Sequence, residues 1–227
     1  MKKKFLQYFS PMEWTIWMVS VLVITLAFCL VGAFQPLTLV ASLVGVTSLI
    51  FIAKGNVLGQ FLIILFSILY AIVSYTQRYY GEMITYLGMS LPSAAVACVT
   101  WLKNPSKKGK SEVQIAEMSG KKWLFLAVFA AAVTAAFYFI LKAFDTNRLY
   151  LSTLSVTTSI VPATLLIFRN PYYAVGYACN DLVLIGLWTY SCFSSLSYLP
   201  MLVCFITFFV NDMYGFYNWK RMQKRQK

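Results

Sequence analysis

Apolar runs long enough to cross hydrocarbon recur from Trp14 almost to the end of the chain, at approximately 14–34, 36–53, 57–77, 83–102, 123–143, 149–168, 172–192 and 197–219. Each is near the roughly 20 residues a helix needs to span a bilayer. Inside hydrocarbon every backbone N–H and C=O must find its partner within the protein, and only helices and closed barrels manage this. Long runs joined by short loops select the helical bundle, since a barrel strand would show ~10-residue segments of alternating polarity. With 60% of the 227 residues hydrophobic and 11% charged, little chain is left for a soluble domain. The expectation is an all-α membrane protein of eight spans. Helix-ending residues mark the breaks, among them Lys54-Gly55-Asn56, Asp145-Thr146-Asn147-Arg148 and Arg169-Asn170-Pro171, and only Lys103 to Lys122 forms a real hydrophilic loop.

The first span follows a basic Met1-Lys2-Lys3-Lys4 and ends near a passable cleavage site at Val31-Gly32-Ala33, as a secretory signal would. Its apolar stretch is too long for a typical signal, so it reads as a retained helix. Orientation follows from the basic residues, which collect in cytoplasmic loops. With both termini in the cytosol, 16 of the 19 lysines and arginines lie inside, and Arg78, Lys142 and Arg148 lie outside. The formal net charge of +12 is then accounted for by water and anionic headgroups, without nucleic acid. An inner (cytoplasmic) membrane location is expected.

Chemistry is limited by what is missing. There is no histidine, and the five cysteines fall in or beside apolar runs without CxxC spacing, so neither a metal centre nor a disulfide framework is expected. The nearest approach to a phosphate-binding loop, Asn104 to Ser111, lacks its first glycine and joins two helices instead of following a strand. No nucleophile, base and orienting group stand together, so no catalytic residue, cofactor or enzymatic activity is expected.

A weak internal repetition adds to this. Asn56 follows one helix and Trp101 closes the third, and Asn170 and Trp219 do the same further on, at separations of 45 and 49 residues. Polar groups inside the spans are few, and in a bilayer such groups line a cavity or glue helices together. Asn180-Asp181 and Asn211-Asp212 read either way, and for Gln60 and Tyr70 cavity lining and core packing stay open. Trp188 lies seven residues after Asp181, about two helical turns, and so projects from the same face; Tyr177 and Asn180 extend it. No lysine or arginine falls in the middle of a span, so a phosphate or carboxylate would find no fixed cation. A neutral or cationic ring-plus-sugar molecule suits the aromatic and amide groups better.

Asn56-Val-Leu-Gly-Gln60, Tyr70, Tyr75, Tyr80-Gly-Glu-Met83, Asn180-Asp181, Leu187-Trp188 and Tyr214-Gly-Phe-Tyr-Asn-Trp219 together resemble the PnuC family of nicotinamide riboside transporters, over roughly 36–222. The resemblance implies two parallel three-helix bundles joined by a linker helix, as in SWEET transporters. Laid over the chain, that gives a basic N-terminus and extra helix (1–35), a first repeat (36–103), a cytoplasmic basic loop (104–122), a linker helix (123–143), a second repeat (149–219) and a basic tail (220–227). It also implies facilitated diffusion of an unphosphorylated vitamin precursor, trapped by cytosolic phosphorylation. The family's WxxW signature is absent before Asp181, Tyr173 and Tyr177 being the nearest substitutes, and Gln60 stands where Trp is expected. Thiamine or riboflavin on the same fold is thus the alternative substrate, and a non-transporting receptor or scaffold the alternative of another class. The expected site comprises Gln60, Tyr70, Tyr177, Asn180, Asp181, Trp188 and Asn211. The expected partners are a small vitamin precursor and the lipid bilayer, with self-association left open.

Overall fold

The computed structural model describes residues 8–31, 36–76, 80–107, 111–146 and 149–227. Lys2 to Lys4, Gly32-Ala33, Arg78, Tyr79, Lys108 to Lys110 and Asn147-Arg148, all used in reading the sequence, lie outside these residues, as do the side chains of Tyr80 and Glu82. The described residues form helices α1 (Pro11–Val31), α2 (Pro36–Ala53), α3 (Leu58–Thr76), α4 (Tyr80–Thr85), α5 (Leu91–Leu102), α6 (Gly120–Ala143), α7 (Leu149–Ile167), α8 (Tyr173–Ser194) and α9 (Leu199–Gln226). A π turn, Tyr86–Ser90, joins α4 to α5, and a 3-10 turn, Leu196–Tyr198, precedes α9.

Seven of the helical stretches are long and apolar enough to cross a membrane, against the eight expected. The eighth expected span is α8, which has 22 residues but carries Asn180, Asp181, Tyr173 and Tyr177 on its cavity face. Its polarity is the cost of facing a cavity. The last span also runs further than expected: α9 continues through the basic tail to Gln226, about 42 Å at 1.5 Å per residue.

Helix starts follow local chemistry. Ser10 and Glu13 exchange hydrogen bonds, the Ser10 N–H donating to Glu13 Oε2 at 2.7 Å and the Glu13 N–H to Ser10 Oγ at 3.3 Å, a capping box with Pro11 in the first turn. Glu13 also takes both contacts of Lys54 Nζ and the hydroxyl of Tyr214, pinning α1 to α2 and α9. α2 packs on α3 and α9, α7 on α8 and α5, and α6 lies mainly against α7. At Gly59 a Cβ would sit 2.5 Å from the Ile52 side chain and 2.7 Å from its backbone nitrogen, so only glycine lets α3 turn back this closely along α2.

The two turns after α2 and α7 are built alike. Gly55 (φ 65°) and Arg169 (φ 58°) both occupy the left-handed region, where the arginine bears strain that glycine does not. Each is followed by an asparagine whose side chain accepts from the N–H two residues on, Asn56 from Leu58 and Asn170 from Tyr172. The closing indoles are crossed: Trp219 Nε1 donates to the Ile52 carbonyl at 2.8 Å, and Trp101 Nε1 to the Leu166 carbonyl at 3.1 Å. The two rings lie 5.5 Å apart at the centre of the largest core cluster.

The loop between α5 and α6 closes this end. The Val113 N–H donates to the Gly55 carbonyl at 2.9 Å, and three residues on the Ala116 N–H donates to Arg169 at 3.0 Å. The end of α9 grips the same strand, with Gln226 bonded to the Ile115 N–H and the Val113 carbonyl, and Arg225 paired with Glu112. Arg169 donates to the Gln114 carbonyl, and its burial pulls the guanidinium below its usual range. Tyr8, bonded to Asn56, brings the N-terminal segment to this same face.

Candidate functional site

Above the indole pair, α2, α3, α5, α7, α8 and α9 enclose a cavity of about 110 Å³, room for several waters or a small ring. One face of α3 supplies Gln60, Ile63, Phe66 and Ser67, at helical spacing. One face of α8 supplies Tyr173, Tyr177, Asn180, Asp181 and Leu184; α9 adds Phe205, Phe208 and Asp212. The π turn swings Tyr86 and Met89 into the wall opposite, where the Tyr86 ring packs 4.4 Å from Tyr70 and 5.6 Å from Phe66. π turns inserted in helices recur at functional sites because they re-aim side chains in this way.

Polar groups in this cavity are unusually idle. Gln60 is wholly buried, yet neither its amide nitrogen nor its oxygen has a partner, and the same holds for Ser67 Oγ and for Asp181 Oδ2. Buried polar atoms are almost always paired, and leaving one unpaired costs roughly 1–3 kcal/mol. Four such atoms around one space are what a polar ligand would satisfy. Asn180 is differently placed, its carbonyl oxygen accepting from Thr158 Oγ1 at 2.8 Å and Ser159 Oγ at 3.0 Å, which fixes the amide against α7. Asp181 and Asp212 both face this space, and no lysine or arginine is among the described residues lining the cavity.

Of the residues expected from sequence, the cavity brings together Gln60, Tyr177, Asn180 and Asp181. Tyr70 stands behind the wall, against Phe66 and Tyr86. Trp188 packs with Leu184, Phe205 and Tyr198 beyond the cavity's end. Asn211 lies away from the cavity, its amide donating to Ser20 Oγ on α1 and to the Thr207 carbonyl, while the neighbouring Asp212 faces the cavity. Sequence reasoning also passed over Ser67 and Tyr86. Ser67 was recoverable, being two turns from Gln60, whereas nothing in the sequence marks the π turn that moves Tyr86.

The family model described as nicotinamide mononucleotide transporter matches residues 35–221. The chain belongs to this transporter family. The resemblance read from the sequence therefore holds, over almost the same residues. Within the family, the chain is 28% identical over 203 residues to the nicotinamide riboside transporter PnuC of Neisseria mucosa, covering 86% of this chain and 77% of that protein. It is 24% identical to the nicotinamide riboside transporter PnuC of Haemophilus influenzae, covering 99% and 96%. The fold matches a crystal structure of the vitamin B3 transporter PnuC with a TM-score of 0.82, covering 96% of this chain and 94% of that one, at 24% identity. The chain is thus a multi-pass membrane transporter of helical fold.

Proposed function

We propose that this transporter carries nicotinamide riboside into the cell by facilitated diffusion, with cytosolic phosphorylation trapping it. The family model is described by the phosphorylated mononucleotide and the relatives by the riboside. The cavity separates the two: it offers carboxyls, amides and aromatic rings but no lysine or arginine among the described lining residues, so a phosphate dianion would be left uncompensated. Gln60, Ser67, Asn180 and Asp181 are the groups for the ribose hydroxyls and carboxamide, and Tyr177 and Tyr86 those for the ring. Tyr70 and Trp188 act as backing for these walls.

The test is uptake into proteoliposomes without ion gradients. Nicotinamide riboside should enter until inside and outside concentrations match and accumulate further only when a riboside kinase and ATP are enclosed. Equal entry of the mononucleotide would overturn the charge argument; preference for thiamine or riboflavin would assign the cavity to another vitamin. Binding without entry of any of them would favour a receptor.

The same reading makes 36–103 and 149–219 two parallel repeats, with 123–143 as linker and the first helix as an addition. It is supported by the paired left-handed turns, the crossed indoles and the way the first helix of each half packs on the last helix of the other. Orientation with both termini in the cytosol of an inner-membrane protein is supported by the gathering of Lys54, Arg169, the 103–122 loop and the basic tail at one face. A cysteine introduced at Lys107 should be labelled by an impermeant maleimide only after the membrane is opened. Labelling of intact cells would invert the topology.

A further inference from the structure

Asp181 on α8 and Asp212 on α9 are 3% and 5% exposed and face one cavity. Two ionised carboxylates facing one buried space repel each other, and a proton held between them removes that repulsion. Nothing nearby replaces that proton. α2, α3, α5 and α7 bring no charged side chain to the cavity among the described residues; α8 adds the hydroxyls of Tyr173 and Tyr177, the π turn that of Tyr86, and α9 the Cys204 thiol near Asp181. On α1, Glu13 is already engaged by Lys54 and Tyr214. Two full negative charges side by side, without a cation opposite, are not sustainable in such a wall.

We propose that Asp181 and Asp212 act as one counter-ion, holding a single proton between them and presenting a single negative charge to a monocationic ligand. The unpartnered Asp181 Oδ2, with Gln60 and Ser67 across the cavity, marks the place where that ligand sits. This rests on reading the cavity as the site for a nicotinamide riboside-like cation, and it makes Asp212 a specificity residue. A permanent pyridinium matches one negative charge. A neutral ligand gains nothing from it, and a phosphate is repelled. A second proton on the pair removes the charge, so cation binding and uptake of that proton exclude each other.

The test uses the full-length protein in detergent with two probes, nicotinamide riboside and its uncharged dihydropyridine form. On acidification from about pH 8 to about pH 5, affinity for the cation should fall, by up to about tenfold per pH unit where one proton competes, while affinity for the neutral probe stays level. Asp181→Asn and Asp212→Asn each leave one carboxylate and should weaken cation binding a few-fold. The double variant should lose at least about tenfold more cation affinity than the product of the single losses, whereas any losses for the neutral probe should simply multiply, with thermal unfolding reporting the fold. A level pH profile for the cation, or cation losses that simply multiply, would overturn the shared charge while leaving the transport reading intact. Failure of the unsubstituted protein to bind either probe would remove the cavity as the site, and the pair with it.

Discussion

Trp219→Ala is expected to destabilise the protein by about 3–5 kcal/mol, the range for deleting a large aromatic from a close-packed core. Trp219 is wholly buried, its ring centroid lies 4.7 Å from that of Tyr173 and 5.5 Å from that of Trp101, and its indole N–H is the partner of the Ile52 carbonyl. Alanine would leave a void where α2, α8 and α9 meet, and the Ile52 carbonyl would keep only the Gly55 N–H. Trp219→Phe keeps most of the volume and loses the hydrogen bond alone, a cost of about 1 kcal/mol. Thermal unfolding of the purified variants measures both. If Trp219→Ala melted like the parent, the crossed indoles would not be what ties the two halves together.

Gln60→Leu should move stability and transport in opposite directions. Leucine is similar in size, and it removes two buried amide atoms that have no protein partner among the described residues, which should stabilise the folded state by about 1–3 kcal/mol. The same change removes a donor and an acceptor from the ligand, and a site built to pair with polar groups loses roughly tenfold or more in affinity when one goes missing. The melting temperature should therefore rise while riboside uptake falls. A variant that is both less stable and fully active would make Gln60 an ordinary packing residue. Ser67→Ala, on the same face of α3, should behave likewise with a smaller amplitude.

The architecture was legible because a membrane leaves few choices: length and apolarity located α1, α2, α3, α5, α6, α7, α8 and α9, and the motifs named the family. The site was legible only in part, and helix phase explains much of the rest. Asn211 and Asp212 differ by about 100° around α9, and composition alone does not say which points inward. Trp188 does share a face with Asp181, as its spacing requires, but seven residues of rise carry it about 10 Å along the axis, past the end of the cavity. Tyr86 was hidden for another reason: the π turn breaks the period from which its direction would have been read. The polarity of α8, by contrast, was the plainest sign of the cavity.

The strand at Val113 to Ala116 sets a length. It bonds the Gly55 turn through Val113 and the Arg169 turn through Ala116, three residue steps apart, and three extended steps reach at most roughly 10–11 Å. While both bonds hold, the two turns are leashed to that separation, whatever the helices do elsewhere. The strand thus works as a gauge. Swings of one half against the other that stay within its reach need no bond broken at this end, and any wider parting must first release Val113 or Ala116 together with the grip of Gln226.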